Sequence, residues 1–222
     1  MKKWICAGLA VLMLTCAGCT GPNADPTQSV PTQSQEQSMS LENGILSAEA
    51  VPAYSGVYLE YGDREMVSEV CAMRFTNIGT QTISDAQLVF SDGTQELTFQ
   101  FEILPAGQSV LVAELSQRTG AGAELQYVDG AIHFLEEGVL EDARRVEVIL
   151  QADGQVQIRN ITEEVLPLVR VFYRPTDENG EFLGGPCDSL LADGIEAGDT
   201  VVLDAPEWDG SCAVVTVLII NE

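Results

Sequence analysis

The feature that most constrains the fold is alternation with a period of two. Leu97, Phe99, Phe101 and Ile103 are separated by Thr98, Gln100 and Glu102, which puts every apolar side chain on one face of an extended strand. The same period recurs at Val57, Leu59 and Tyr61, at Cys71, Met73 and Phe75, at Val146, Val148 and Leu150, and at Val215, Val217 and Ile219. Asp-Gly or Asn-Gly pairs punctuate the chain at 92–93, 129–130, 153–154, 179–180, 193–194 and 209–210. Type I′ turns need positive φ at both central residues, so these pairs read as hairpin signals. Short strands closely spaced and separated by turns predict an all-β chain of β-sandwich type. A helical interruption is expected only at 138–145.

An internal repeat sharpens this reading. Asn77, Ile83, Val89 and Phe90 match Asn160, Leu166, Phe172 and Tyr173 at the same offsets. Each set leads to an Ala-Gly turn and a Val-rich strand, Ala106-Gly107 before Val110 and Ala197-Gly198 before Val201. The second copy is longer by eight residues, and the surplus falls at 177–186, where a loop absorbs it at little cost. Two tandem β-sandwich domains follow, 48–138 and 139–222, with a single larger sandwich as the competing arrangement. The pattern resembles the small immunoglobulin-like modules of Gram-positive surface lipoproteins. In the second copy, the run from Val169 to Tyr173 followed by Gly184-Gly185 is also similar to FxLYD modules. That resemblance implies tandem immunoglobulin-like sandwiches and no catalytic residue.

The N-terminus carries its own instructions. Lys2 and Lys3 precede an apolar run from Trp4 to Leu14, too short to span a bilayer and of the length of a signal-peptide core. Thr15-Cys16-Ala17-Gly18-Cys19 resembles a bacterial lipobox, with Cys16 where leucine is usual. The resemblance implies cleavage after an 18-residue signal peptide and a diacylglyceryl anchor on Cys19, with the protein held at the membrane and facing outside the cytoplasm. Secretion without lipid is the alternative. Residues 19–47 are rich in Pro, Thr, Gln and Ser, with Pro-Thr-Gln-Ser at 26–29 and again at 31–34, and read as a disordered tether.

Composition removes several function classes. The chain has 34 acidic and 10 basic residues, a formal charge of −24, and its only lysines are the two of the leader. A phosphate grip on nucleic acid is therefore not expected, nor is lysine chemistry in the processed protein. One histidine, His133, sits between Ile132 and Phe134 and reads as a structural or edge residue. No triad, no zinc-ligand spacing and no cofactor motif is visible. Asp177-Glu178-Asn179-Gly180-Glu181 resembles the start of an EF-hand loop but lacks the later ligands and the flanking helices, so no metal is expected.

The function expected is a non-catalytic binding or spacer module at the cell envelope. Its partners are the membrane and an envelope protein or glycan. A carbohydrate- or peptide-binding lipoprotein with a defined ligand is the first alternative, and an envelope hydrolase using two distant carboxylates the second. If a ligand site exists, Asp177, Asn179 and Phe182 of the enlarged loop and Trp208 before the last strand are its candidates. Cys187 and Cys212 are either a disulfide closing a loop of about 25 residues, worth ~3 kcal/mol, or two thiols.

Overall fold

The structure is a computed structural model that describes residues 38–60, 63–120, 124–136, 139–141, 143–151, 154–205 and 211–220. Cys19 and Trp208 lie outside these residues. The chain divides into two units, Met1–Gln35 and Glu36–Glu222, and everything below concerns the second. It is all-β, with no α-helix among the described residues.

Among the described residues sixteen strands follow one another. They are β1 (Ser38–Leu41), β2 (Leu46–Ala50), β3 (Tyr54–Glu60), β4 (Asp63–Val70), β5 (Ala72–Asn77), β6 (Ile83–Ser91), β7 (Glu96–Leu104) and β8 (Ser109–Ala113), then β9 (Gln126–Phe134), β10 (Val139–Glu141), β11 (Val146–Leu150), β12 (Gln155–Asn160), β13 (Leu166–Pro175), β14 (Asp188–Ile195), β15 (Thr200–Asp204) and β16 (Cys212–Ile220). Sheets β1-β2-β5-β8 and β7-β6-β9 face each other, and so do β11-β12-β15 and β10-β16-β13-β14, while β3 and β4 form a separate hairpin. The named sheet pairings are antiparallel.

Each facing pair encloses its own core. In the first, Leu46, Met73, Phe75 and Val110 of one sheet meet Leu88, Phe90, Phe99 and Phe101 of the other. Phe75 sits among Phe90, Phe99 and Phe101 with ring centroids 5.5 to 6.1 Å apart, the spacing at which tilted and edge-on rings attract. The alternation read at 97–103 holds through Phe101, with Leu97, Phe99 and Phe101 buried in this core. It breaks at Ile103, whose φ is +38° and whose side chain packs with Phe172, Val215 and Leu218 instead, while Leu104 takes the place in the first core. In the second pair, Val156 and Ile158 pack on Val169, Val171, Val217 and Ile219.

The repeat turns out to be a hydrogen-bonded clasp. Asn77 ends β5, is fully buried, and donates through Nδ2 to the Gln81 carbonyl at 2.8 Å and the Leu104 carbonyl at 2.8 Å. Its Oδ1 accepts from the Gly79 N–H at 3.0 Å. Asn160 ends β12 and donates in the same way to Glu164 at 2.7 Å and Ile195 at 3.0 Å. Leu104 and Ile195 each close the strand before an Ala-Gly turn, whose glycines take the left-handed conformation, Gly107 at φ +78° and Gly198 at φ +77°. A side-chain amide is needed there because it alone supplies two donors and an acceptor to main chain that no ladder serves.

Several expectations give way. Ser38–Leu41 and the first residues of β2 lie within the stretch read as tether, 19–47. Leu41 and Leu46 are buried and Met39 and Ile45 pack beside them, so a few apolar residues dock this segment on β5 despite its polar average. At 138–145 there is a short strand and a single 3-10 turn, Ala143–Arg145. Asp92-Gly93 and Asn179-Gly180 are turns, as is Gly154, but Asp129-Gly130 and Asp193-Gly194 lie inside β9 and β14. Gly130 is there for close packing, since a Cβ would stand 2.8 Å from Leu88 Cδ2 and 3.0 Å from the Gln87 carbonyl.

Candidate functional site

The eight-residue surplus of the second copy does two things in sequence. Residues 177–181 form a tight tip, where Asp177 Oδ1 accepts from the Asn179 and Glu181 N–H groups at 2.8 Å each. Asn179 Nδ2 returns a bond to Asp177 Oδ2 at 3.0 Å. The chain then runs as a strap across the first sheet pair. The Leu111 N–H donates to Phe182 O at 2.8 Å and the Gly184 N–H to Leu111 O at 2.7 Å, both along β8. The Gly185 N–H donates to Gln100 O at 3.2 Å and the Glu102 N–H to Gly185 O at 3.2 Å, both along β7. Since β8 and β7 are the edges of the two facing sheets, the strap bridges their open seam and satisfies main-chain groups that an edge leaves unpaired.

Side chains lock the strap from both ends. The Arg74 guanidinium of β5 donates to Glu181 at 2.5 and 3.0 Å, in the bidentate geometry that favours arginine, and to Glu49 at 3.2 Å. Its pKa is raised above the arginine range, chiefly by the Glu181 hydrogen bond. Arg174 of β13 is 1% exposed and donates to the Leu183 carbonyl at 3.1 Å and to the main-chain oxygen of Glu102. Phe182 is half buried and packs on the first core as well as on a smaller cluster of Ile103, Phe172, Val215 and Leu218. Gly185 is the one residue that fits its place, at φ +90° with a Cβ position 2.8 Å from the Leu59 carbonyl.

Over the strap lies the β3–β4 hairpin, and a cleft of about 520 Å³ opens between them. Asp177 and Asn179 line it, as do Tyr54, Met66, Arg74 and Glu178. Gly56 leaves the Tyr54 ring room to fold back, since a Cβ there would stand 2.4 Å from the phenol oxygen. The hydroxyl donates to the Val57 carbonyl at 2.8 Å. Burial, and then the Asp177 charge, push the Tyr54 pKa up. Met66 is 78% exposed, the most exposed of the large apolar side chains described.

Of the residues singled out from sequence, then, Asp177 and Asn179 belong to the cleft, Phe182 serves as a wedge in the packing, and Trp208 lies outside the described residues. Tyr54, Met66, Arg74 and Arg174 were not singled out. The available signal was an arginine inside an apolar strand, at Arg74 before Phe75 and at Arg174 after Tyr173, in a chain poor in cations.

No disulfide joins Cys187 to Cys212. Cys187 Sγ lies 3.5 Å from the Tyr173 carbonyl, and burial raises its pKa against the pull of Arg174. Cys212 packs in the second core and accepts from Arg64 at 3.6 Å. His133 is an exposed residue of the edge strand β9, 2.7 Å from Asp85. Among the described residues no group of three or more His, Cys, Asp or Glu could hold a metal ion, and no helix is long and apolar enough to cross a membrane. No protein-family model matches the chain, and no curated protein is significantly similar to it.

Proposed function

We propose that this is a lipid-anchored envelope protein whose two immunoglobulin-like β-sandwich modules act as one rigid, non-catalytic binding or spacer body. The observation that carries the reading is the strap. A loop that the repeat leaves free to vary is used to fasten the second sheet pair to both sheets of the first, which suits a body that holds a surface at a fixed distance and orientation from its anchor.

Topology supports the modular part. Sheet β2-β5-β8 facing β7-β6-β9 recurs as β11-β12-β15 facing β14-β13-β16, in the manner of small two-sheet antiparallel sandwiches. The anchor rests on the sequence ending in Cys19, and two acyl chains there give a stable hold where one does not. Metabolic labelling with an alkyne analogue of palmitate tests it, together with protease treatment of intact cells. The wild-type chain takes up the label and is shaved from outside, and Cys19→Ala loses both label and membrane retention. A Cys19→Ala chain that stays labelled in the membrane, or a wild-type chain that is never labelled, overturns the anchor.

A further inference from the structure

We infer that the cleft between the β3–β4 hairpin and the 177–181 tip binds a short basic peptide segment, with an aliphatic side chain on its floor and a lysine or arginine against Asp177 and Glu178. The inference deepens the binding reading above and rests on it for its biological setting.

Size and floor come first. About 520 Å³ is the volume of a small-ligand site, large enough for a few side chains. Its floor is apolar, formed by Val51, Tyr54, Val57, Leu111 and Leu183. A second, smaller cavity of about 60 Å³ lies on the other side of this wall and shares Tyr54, Val57, Leu111 and Leu183 with it.

Charge selects the rest of the ligand. Among the described residues Arg74 is the only cation lining the cleft, and it is already engaged by Glu181 and Glu49. Asp177 accepts hydrogen bonds from its own turn, and among the described residues neither Asp177 nor Glu178 has an ion-pair partner. A ligand that brings positive charge beside an apolar group therefore complements both parts, in a chain whose net charge of −24 steers cations toward it. Main chain adds the preference for a peptide. Val51 to Ala53 run along the cleft outside any strand ladder, and Pro52 has no N–H. That stretch therefore carries one more carbonyl acceptor than N–H donors, outside any ladder, for an extended segment to meet.

The test is fluorescence anisotropy of a labelled Leu-Lys-Leu-Lys-Leu amide against the full chain in non-ionic detergent. Saturable binding is expected. Asp177→Asn combined with Glu178→Gln weakens it about five-fold or more, and Met66→Ser about three-fold. A charge-matched pair on exposed sites elsewhere, Glu163→Gln with Glu196→Gln, changes it less than about two-fold. Penta-lysine and spermine compete at least about ten-fold less well than the unlabelled probe. The inference is overturned by lack of saturable binding, by equal weakening in the charge-matched pair, or by penta-lysine or spermine competing as well as the probe. Circular dichroism melts establish that each variant is folded, and Met66→Ser, at a side chain already in solvent, keeps the test open if the acidic pair is not. Because binding is read in solution, its failure is separable from failure of the lipid anchor.

Discussion

Replacing Asn77 by alanine removes three bonds from one buried place. The Leu104 carbonyl belongs to a residue 1% exposed and cannot turn to water, so its loss of a donor costs about 1–3 kcal/mol. The Gln81 carbonyl and the Gly79 N–H lie nearer the surface and can be rehydrated, at about 0.5 kcal/mol each. The total is about 2–4 kcal/mol, a large share of the stability of a domain of ordinary size. Asn160→Ala removes the equivalent bonds to Glu164 and Ile195 and costs a similar amount. Aspartate is the sharper probe. It matches asparagine in shape but turns a donor into a carboxylate oxygen facing two carbonyl oxygens at 2.8 Å, so Asn77→Asp is at least as damaging as alanine. The assay is urea unfolding of the full chain followed by far-ultraviolet circular dichroism, with the midpoint and slope fitted together. A loss below about 1 kcal/mol for Asn77→Ala, or an Asn77→Asp protein more stable than the alanine variant, would refute the claim that the clasp holds through its amide donors.

Two further outcomes follow from local geometry. Gly185→Ala, at φ +90° with a Cβ 2.8 Å from the Leu59 carbonyl, lowers stability by about 2–4 kcal/mol, whereas Gly180→Ala, at φ +81° with open space around it, loses only about 1 kcal/mol. Equal melting temperatures for the two variants would contradict the close packing of strap and hairpin. Cys71 is buried, and its thiol is pushed up from 9.0 to about 11 by burial and then by the Glu114 charge. It therefore resists iodoacetamide in the folded protein at pH 8 and reacts when the protein is unfolded, as mass spectrometry of the Cys71 peptide will show. The folded state keeps this proton after the unfolded state has lost it, so the Cys71 contribution is complete below pH 9 and is lost as pH rises toward about 11. A Cys71→Ala variant with an unchanged alkaline slope would contradict that assignment.

What was legible in the sequence is what depends on neighbours along the chain. Alternation from Leu97 to Phe101 located β7 because one face of a strand must be apolar when it closes a core, whereas the turn of Ile103 out of that face depends on Phe172, Val215 and Leu218 far along the chain. The matched Asn and Ala-Gly positions were legible because a buried amide and a left-handed glycine each leave one residue type in a fixed place. Lost were the features decided by partners far along the chain. Gly130 looked like a turn residue because Asp-Gly usually is one, yet its place is set by Leu88 across the ladder. The surplus at 177–186 was correctly located, but nothing local says that Gly184 and Gly185 will pair with β8 and β7, some 70 to 85 residues earlier. The cleft was illegible for the same reason, since one wall is the 54–70 hairpin and the other the 177–181 tip. Met39, Leu41 and Leu46 were too few to outweigh the polar residues around them in a compositional reading, though they suffice once β5 offers an edge.

The strap is the centre of this account, and hydrogen exchange reads it directly. In the full chain, followed by mass spectrometry or by resolved amide signals, the N–H groups of Gly184, Gly185, Leu111 and Glu102 are predicted to exchange as slowly as those of Phe75 and Phe99 in the first core, because all of them open only when the sheet pair does. Exchange of Gly184 and Gly185 at the rate of an exposed loop, with Phe75 and Phe99 still protected, would contradict the claim that the second copy's loop fastens the two sheet pairs into one body.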